Sequence, residues 1–285
     1  MKILTIGNSF SDNATFQLSE MIALEENIDL MVGRASLGGC SLEKHWNLVE
    51  QCDLLTEVKP YAFHIIGEAP TPMNLREILT TQTWDYVTLQ QVSHCSWRSD
   101  TFIPYIDKLY ALVKELAPQA KILLHQTWAY RVDNEDYFTE NNLDQVKMYQ
   151  QIVKNYKALG ERLNCPIIPS GVAIQQAREA LGFVRDSNFN YDNPQPLQLP
   201  DEGKSLNVGY CWKTGNTPSG KPELVVDYRH LNEKGCYIAN AVWFELFTGR
   251  SIFDNKFCPV EVSAQELEIF KTVAHRVVAE SQGNI

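Results

Sequence analysis

The chain has 285 residues and a mass of 32.5 kDa, with 44% apolar and 21% charged residues, so it can bury a core without disulfide staples and reads as an ordinary globular protein. A formal net charge of -10, with no run of Lys and Arg interleaved with aromatics, excludes nucleic acid as an expected partner. No apolar run approaches the ~20 residues needed to span a bilayer, so no membrane span is expected. The seven cysteines are odd in number and form no CxxC, which favours free thiols in a reducing compartment over a disulfide framework. With a core-like strand at the very start, the expected location is cytoplasmic; a removed leader would make it periplasmic or secreted.

Lys2 to Ile6 reads as a buried strand that ends abruptly in Gly7-Asn-Ser-Phe-Ser11. Asp12 to Glu26 has the apolar spacing of an amphipathic helix capped by Ser11 or Asp12, and Ile28 to Ala35 returns as a strand. A helix is predicted over Ser41 to Leu54 with Ser41 as its cap, then a strand or extended segment over Tyr61 to Ile66, and a strand over Trp84 to Gln90. Phe102 to Leu116 reads as a helix stopped by Pro118, followed by a strand over Lys121 to Thr127. A long helix over Asn142 to Leu163, the extended Pro166-Ile-Ile-Pro169 and a short helix over Val172 to Leu181 complete the alternation.

Such alternation predicts an α/β fold, a three-layer α/β/α sandwich around a mostly parallel sheet, in a single domain spanning 1–285. Residues 186–222, rich in Asn, Gly, Pro and aromatics, interrupt it as an irregular excursion, either an active-site flap or a surface loop. Leu224-Val-Val226 then leads to helices over Glu233 to Phe247 and about 264–280.

In an open parallel sheet, ligands gather beyond the carboxyl ends of the strands. Ser9 stands at such an end, either as a turn and capping serine or as a nucleophile whose developing oxyanion meets nearby backbone N–H groups. A nucleophilic serine needs a base, and Asp227-Tyr-Arg-His230 supplies a carboxylate three residues before an imidazole, in what reads as one loop after a strand. The carboxylate can fix the tautomer that leaves Nε2 free for the serine proton. Read alone, this spacing also fits an Asp that accepts backbone N–H bonds beside a surface His.

Together, Gly7-Asn-Ser-Phe-Ser11 and Asp227-x-x-His230 resemble the SGNH, or GDSL-like, hydrolase family, in particular its branch related to carbohydrate esterases. The resemblance implies a flavodoxin-like sandwich, Ser9, His230 and Asp227 as a catalytic triad, and the Ser9 backbone N–H as an oxyanion donor. Asn8 stands where the family usually has aspartate. Gly38-Gly39 resembles the second block, implying Gly39 as another backbone donor. The family's Gly-x-Asn-Asp block is replaced by Leu89-Gln-Gln-Val92, so Gln90 or Gln91 is the expected side-chain donor. Adjacent strand residues face opposite ways, which leaves the choice between them open, with Gln90 preferred.

Trp46, Trp97, Trp128, Tyr130 and Tyr228 fall in predicted strand-end loops, and Trp97, Trp128 and Tyr228 are the expected substrate-binding rings. His94 and Arg98 are candidates for touching substrate hydroxyls, and Arg229 for holding a carboxylate. His64, His94, His125 and His275 lie on separate elements with no HExxH spacing, so no metal and no cofactor are expected. GxGxxG and GxSxG are both absent, which argues against a dinucleotide site and an α/β-hydrolase elbow. The expectation is a serine esterase cleaving short acyl esters, preferably acetyl groups on a carbohydrate. A lipase or other short-chain esterase, and a non-catalytic sugar-binding scaffold, are the alternatives.

Overall fold

A computed structural model of the chain describes residues 1–215, 217 and 220–282. Its centre is a seven-stranded sheet. β1 (Lys2–Gly7) is followed by helices α1 (Ser9–Thr15) and α2 (Leu18–Ala23), then β2 (Met31–Ser36) and α3 (Leu42–Leu54). β3 (Tyr61–Ile65), β4 (Thr71–Met73), α4 (Leu75–Thr81) and β5 (Tyr86–Leu89) come next. After the short α5 (Ser93–Ser96) come α6 (Tyr105–Leu116), β6 (Lys121–His125), α7 (Glu135–Glu140), α8 (Gln145–Leu163), β7 (Ile167–Ile168) and α9 (Ser170–Leu181). A separate hairpin of β8 (Asn207–Lys213) and β9 (Glu223–Leu231) precedes α10 (Glu233–Thr248) and α11 (Ala264–Gln282).

The strand order is β4-β3-β2-β1-β5-β6-β7. The five strands from β2 to β7 in that order run parallel, with Ile3 beside Val32 and Tyr86, while β3 and β4 are antiparallel at one edge. Helices cover both faces, giving the three-layer α/β/α sandwich. On one side α10 packs against α1, α9 and α11; on the other, α3 and α4 pack on α6. Every residue of α10 from Gly235 to Glu245 is buried, because it packs among α1, α9 and α11 and is apolar but for Asn240 and Glu245.

Three differences from the sequence reading matter for the site. The first helix begins at Ser9, capped by Asn8 rather than by Ser11 or Asp12, and it breaks at Phe16-Gln17 before α2. β4 and α4, the latter with a capping box between Asn74 and Glu77, occupy a stretch for which no element was expected. The 186–222 excursion contains all of β8, and Asp227 and His230 lie within β9 rather than in a loop beyond it. Residues 216, 218 and 219 of that excursion lie outside the described residues. All seven cysteines are free thiols. Among the described residues no helix is long and apolar enough to cross a membrane.

Candidate active site

β1 delivers Ser9 to the carboxyl end of the sheet as the first residue of α1. The turn before it is held from three directions by Asn8. Its Oδ1 accepts the Phe10 N–H at 3.1 Å and the Gln90 amide at 3.1 Å, and its Nδ2 donates to the Cys40 carbonyl at 3.0 Å. Gly7 is required by close approach, since a Cβ there would stand 2.4 Å from Ser11 Oγ and 2.7 Å from Gln90 Oε1.

On a regular strand, residues three apart project to opposite faces. Asp227 and His230 meet because β9 is bulged where it passes β8: Gly209 pairs with Asp227, but Asn207, two residues back, pairs with Leu231, four residues on. The extra residues are gathered by Asn207, whose Nδ2 lies 3.2, 3.3 and 3.2 Å from the carbonyls of Tyr228, Arg229 and His230. Within the bulge, Asp227 Oδ1 accepts the backbone N–H groups of Arg229 at 2.9 Å and His230 at 3.0 Å. Its Oδ2 lies 2.6 Å from His230 Nδ1, and His230 Nε2 lies 2.8 Å from Ser9 Oγ. A carboxylate accepts only, so Nδ1 carries the proton and Nε2 presents its lone pair to the serine hydroxyl. Burial favours a neutral Asp227, but hydrogen bonds from the His230 ring and the two backbone N–H groups outweigh it and hold the carboxyl well below the usual range. The bulge is docked to the sandwich by Leu231 N–H to Asn13 Oδ1 at 3.2 Å, Trp128 Nε1 to the Arg229 carbonyl at 2.8 Å, and Arg131 N–H to the Tyr228 carbonyl at 2.9 Å.

The loop carrying Gly39 is tied to the serine turn through Cys40 and through Leu37 N–H to the Gly7 carbonyl at 3.3 Å, and Gly39 has φ +62. Among the described residues neither the Ser9 nor the Gly39 backbone N–H has a hydrogen-bond acceptor within the protein. The two glutamines are placed differently from expectation. Both are buried, and both amide nitrogens already donate twice: Gln90 to Asn8 Oδ1 and the Gln91 carbonyl, Gln91 to the carbonyl and hydroxyl of Thr101. They brace the turn and its neighbouring loop and have no N–H left for an oxyanion.

Of the three expected substrate-binding rings, Trp128 is fully buried, stacked on Phe10 at 4.1 Å between centroids, and presents no face to a ligand. Tyr228 is half-buried and turned toward Tyr210, hydroxyl to hydroxyl at 3.2 Å, with the Arg131 guanidinium 5.3 Å over its ring. Trp97 is half-buried with Nε1 donating to the Tyr137 hydroxyl at 2.9 Å. Beside it, the exposed Arg229 sits 5.6 Å over the Tyr130 ring. Arg98 pairs with Asp100, and His94 is held below the ordinary imidazole range by burial and then by Arg229 and Arg98. Ser11 Oγ and His125 Nδ1 approach to 3.5 Å, but both are fully buried and the Ser11 hydroxyl donates to Gln90 Oε1 at 2.7 Å, so that pair belongs to the core. Among the described residues no group of three His, Cys, Asp or Glu side chains is placed to hold a metal.

Asn207 and Asn13 are not singled out as site supports in the sequence. Asn207 lies in the segment read as irregular, and only its place opposite the Asp-x-x-His run, which requires the hairpin to be known, identifies it.

A family model for a domain of unknown function, DUF4886, matches residues 2–197, and the chain belongs to that family. The match includes Ser9 and ends before Asp227 and His230. The crystal structure of a DUF4886 family protein from Bacteroides uniformis is 28% identical, with a TM-score of 0.77, covering 98% of this chain and 95% of that one. Looser likenesses are to a candidate SGNH hydrolase from Slackia heliotrinireducens (19% identity, 69% and 91% covered, TM-score 0.44) and to a member of the lipolytic G-D-S-L family from Veillonella parvula (12%, 87% and 97%, 0.42). No curated protein matches the chain.

Proposed function

We propose that the chain is a serine esterase that hydrolyses short acyl esters through an acyl-Ser9 intermediate. The observation that carries this reading is the continuous relay from Ser9 Oγ through His230 to Asp227 at 2.8 and 2.6 Å. Ser9 Oγ adds to the ester carbonyl as His230 Nε2 takes its proton; the tetrahedral oxyanion is met by the Ser9 and Gly39 backbone N–H groups. Collapse breaks the bond to the alcohol, which leaves with the proton from His230. Water, deprotonated by the same nitrogen, then attacks the acyl-serine and releases the acid, restoring Ser9. The charge that develops on the imidazole is compensated by the Asp227 carboxylate.

With Trp128 in the core and Tyr228 turned to Tyr210, the preference for a sugar alcohol rests on Trp97 alone, so the reading is a short-chain esterase with an acetylated carbohydrate as one substrate class within it. The test is labelling by a fluorophosphonate with intact-mass detection, run beside turnover of p-nitrophenyl acetate and butyrate. One covalent adduct on the Ser9 peptide and serine-dependent turnover, both lost in Ser9→Ala, are expected. An unlabelled wild-type protein whose turnover equals that of Ser9→Ala would leave a scaffold without catalysis and sink the reading.

A further inference from the structure

Arg229 stands one residue before His230 and is exposed. Its backbone is fixed on both sides, the N–H by Asp227 Oδ1 at 2.9 Å and the carbonyl by Trp128 Nε1 at 2.8 Å, so its place is set by the same bulge that places the base. The guanidinium lies 5.6 Å over the ring of Tyr130, whose hydroxyl meets Ser93 Oγ at 3.0 Å at the start of α5. Among the described residues it is the one arginine whose head group neither pairs with a carboxylate nor hydrogen-bonds a neighbour. The carboxylates around this face are engaged elsewhere: Asp227 with His230, Asp100 with Arg98, Glu43 with the Tyr105 hydroxyl, and Asp133 and Glu202 with Arg131. Burial first, then Arg229 and Arg98, keep His94 below the ordinary imidazole range, which sets the Arg229 charge beside that ring. In a chain of net charge -10, one cation is left open to solvent next to the catalytic base.

The sheet separates the two halves of an ester at Ser9. β1 lies between β2 and β5; the Gly39 loop follows β2, whereas Ser93, Tyr130 and the Arg229 guanidinium stand beyond the ends of β5 and β6. The oxyanion is drawn toward the Gly39 side. The leaving alcohol takes its proton from His230 Nε2, so its oxygen lies within hydrogen-bond reach of that nitrogen and its body extends on the His230 side, toward Arg229. We propose that the alcohol half of the substrate carries a carboxylate bound by Arg229, which makes the substrate class an O-acylated hydroxy acid, sugar acids included. A planar guanidinium takes a carboxylate in two parallel hydrogen bonds, and its single open charge matches a monoanion. The assignment rests on the esterase reading for the reaction, but the carboxylate site itself can be measured without turnover.

The full chain carrying Ser9→Ala is titrated by calorimetry with 4-acetoxybenzoate and with 4-acetoxybenzamide, which has the same shape and no charge. The carboxylate is expected to bind about three- to fivefold more tightly, the range of a solvent-exposed ion pair. Adding Arg229→Gln should remove the difference, and Arg229→Lys should keep part of it; a substitution that only loosened the bulge would weaken both ligands alike. In the protein with Ser9 intact, kcat/KM should favour the same ester, against intrinsic reactivity, because the amide is the better leaving group. Equal affinities, no saturable binding of the carboxylate, or a preference that survives Arg229→Gln overturns the site. Preferential binding without serine-dependent turnover would leave the carboxylate site standing and sink the esterase reading, and serine-dependent turnover of both esters with equal affinities would do the reverse.

Discussion

Asn8 holds the serine geometry through an acceptor and a donor that cannot be exchanged, and Asp227 through acceptors alone. At position 8 an aspartate would still cap α1 and still accept from Gln90, but it would lose the donor to the Cys40 carbonyl and set two oxygens 3.0 Å apart in a buried place. Asn8→Asp is expected to lower stability by about 1–3 kcal/mol, the cost of an unsatisfied buried acceptor, measured by urea unfolding. It should also loosen the Gly39 loop, which is tied to the turn through that bond. At Asp227 the exchange runs the other way. Asp227→Asn replaces an acceptor by a group that can donate to Nδ1, favouring the tautomer with its proton on Nε2, facing Ser9. On the esterase reading kcat should fall by about 10⁴-fold with KM little changed, in steady-state turnover of p-nitrophenyl acetate. The carboxyl itself, held below the usual range, contributes stability that is present above its ordinary pKa and is lost only as the pH falls through the depressed one.

At the scale of elements, the bulge in β9 turns an Asp-x-x-His spacing into a contact, and its clamp is on another strand. Asn207→Ala removes the amide whose two N–H groups are shared among the carbonyls of residues 228–230. The expected outcome is a lower serine labelling rate, with a loss of thermal stability as well because the buried Arg178 Nη2 loses its acceptor Asn207 Oδ1; an unchanged labelling rate would show that the bulge holds itself. This clamp explains what could be read in advance. β1, β5 and β6 were legible because buried parallel strands are short continuous apolar runs, and α3 because Ser41 caps it, Oγ accepting the Lys44 N–H at 3.1 Å. β8 was not, since Asn207–Lys213 carries a glycine at φ +73 and lies among loop-like residues, and β4 is three residues long around Pro72. Ser9, Asp227 and His230 were legible as residue types and spacing, but the bulge that brings them together was not. The glutamines were misread because a side chain's bonding partners depend on which loop it meets, and both amides close on neighbours that only the folded chain brings near. Gly7 shows the same limit in part: Gly7→Ala introduces an overpacking clash worth about 1–3 kcal/mol with Ser11, four residues on, and with Gln90, which only the folded chain brings near.

Over the whole molecule, two fully buried histidines, one beneath each side of the serine turn, set how the fold answers acid. His45 lies 2.8 Å from the Tyr61 hydroxyl and 3.0 Å from the Gly7 carbonyl; a carbonyl only accepts, so Nε2 carries the proton and Nδ1 accepts from the tyrosine. Burial pushes His45 down to about 4 and His125 down to about 3. Both lie below the imidazole value of about 6.5 in an unfolded chain. Between the two values the unfolded chain takes up protons that the folded chain refuses, so stability drains as the pH falls below about 6.5, and this contribution ends near 4 for His45 and near 3 for His125. At roughly 1.4 kcal/mol per unit for each group, the effect is a large share of a domain's stability. Urea unfolding across this window should show a slope that His125→Met flattens in part. That variant also removes the unpaired Nε2 from a wall formed by Trp128 and Trp243, so it should cost little at neutral pH. His45 differs because its proton is donated to Gly7, directly beneath the serine turn. Forced protonation sets a charge against Tyr61 and disturbs the turn before the sheet as a whole. Protection of the amides of residues 7–11 from hydrogen exchange should therefore fall at a higher pH than tryptophan fluorescence reports unfolding, and coincident curves would show that the turn and the core open together.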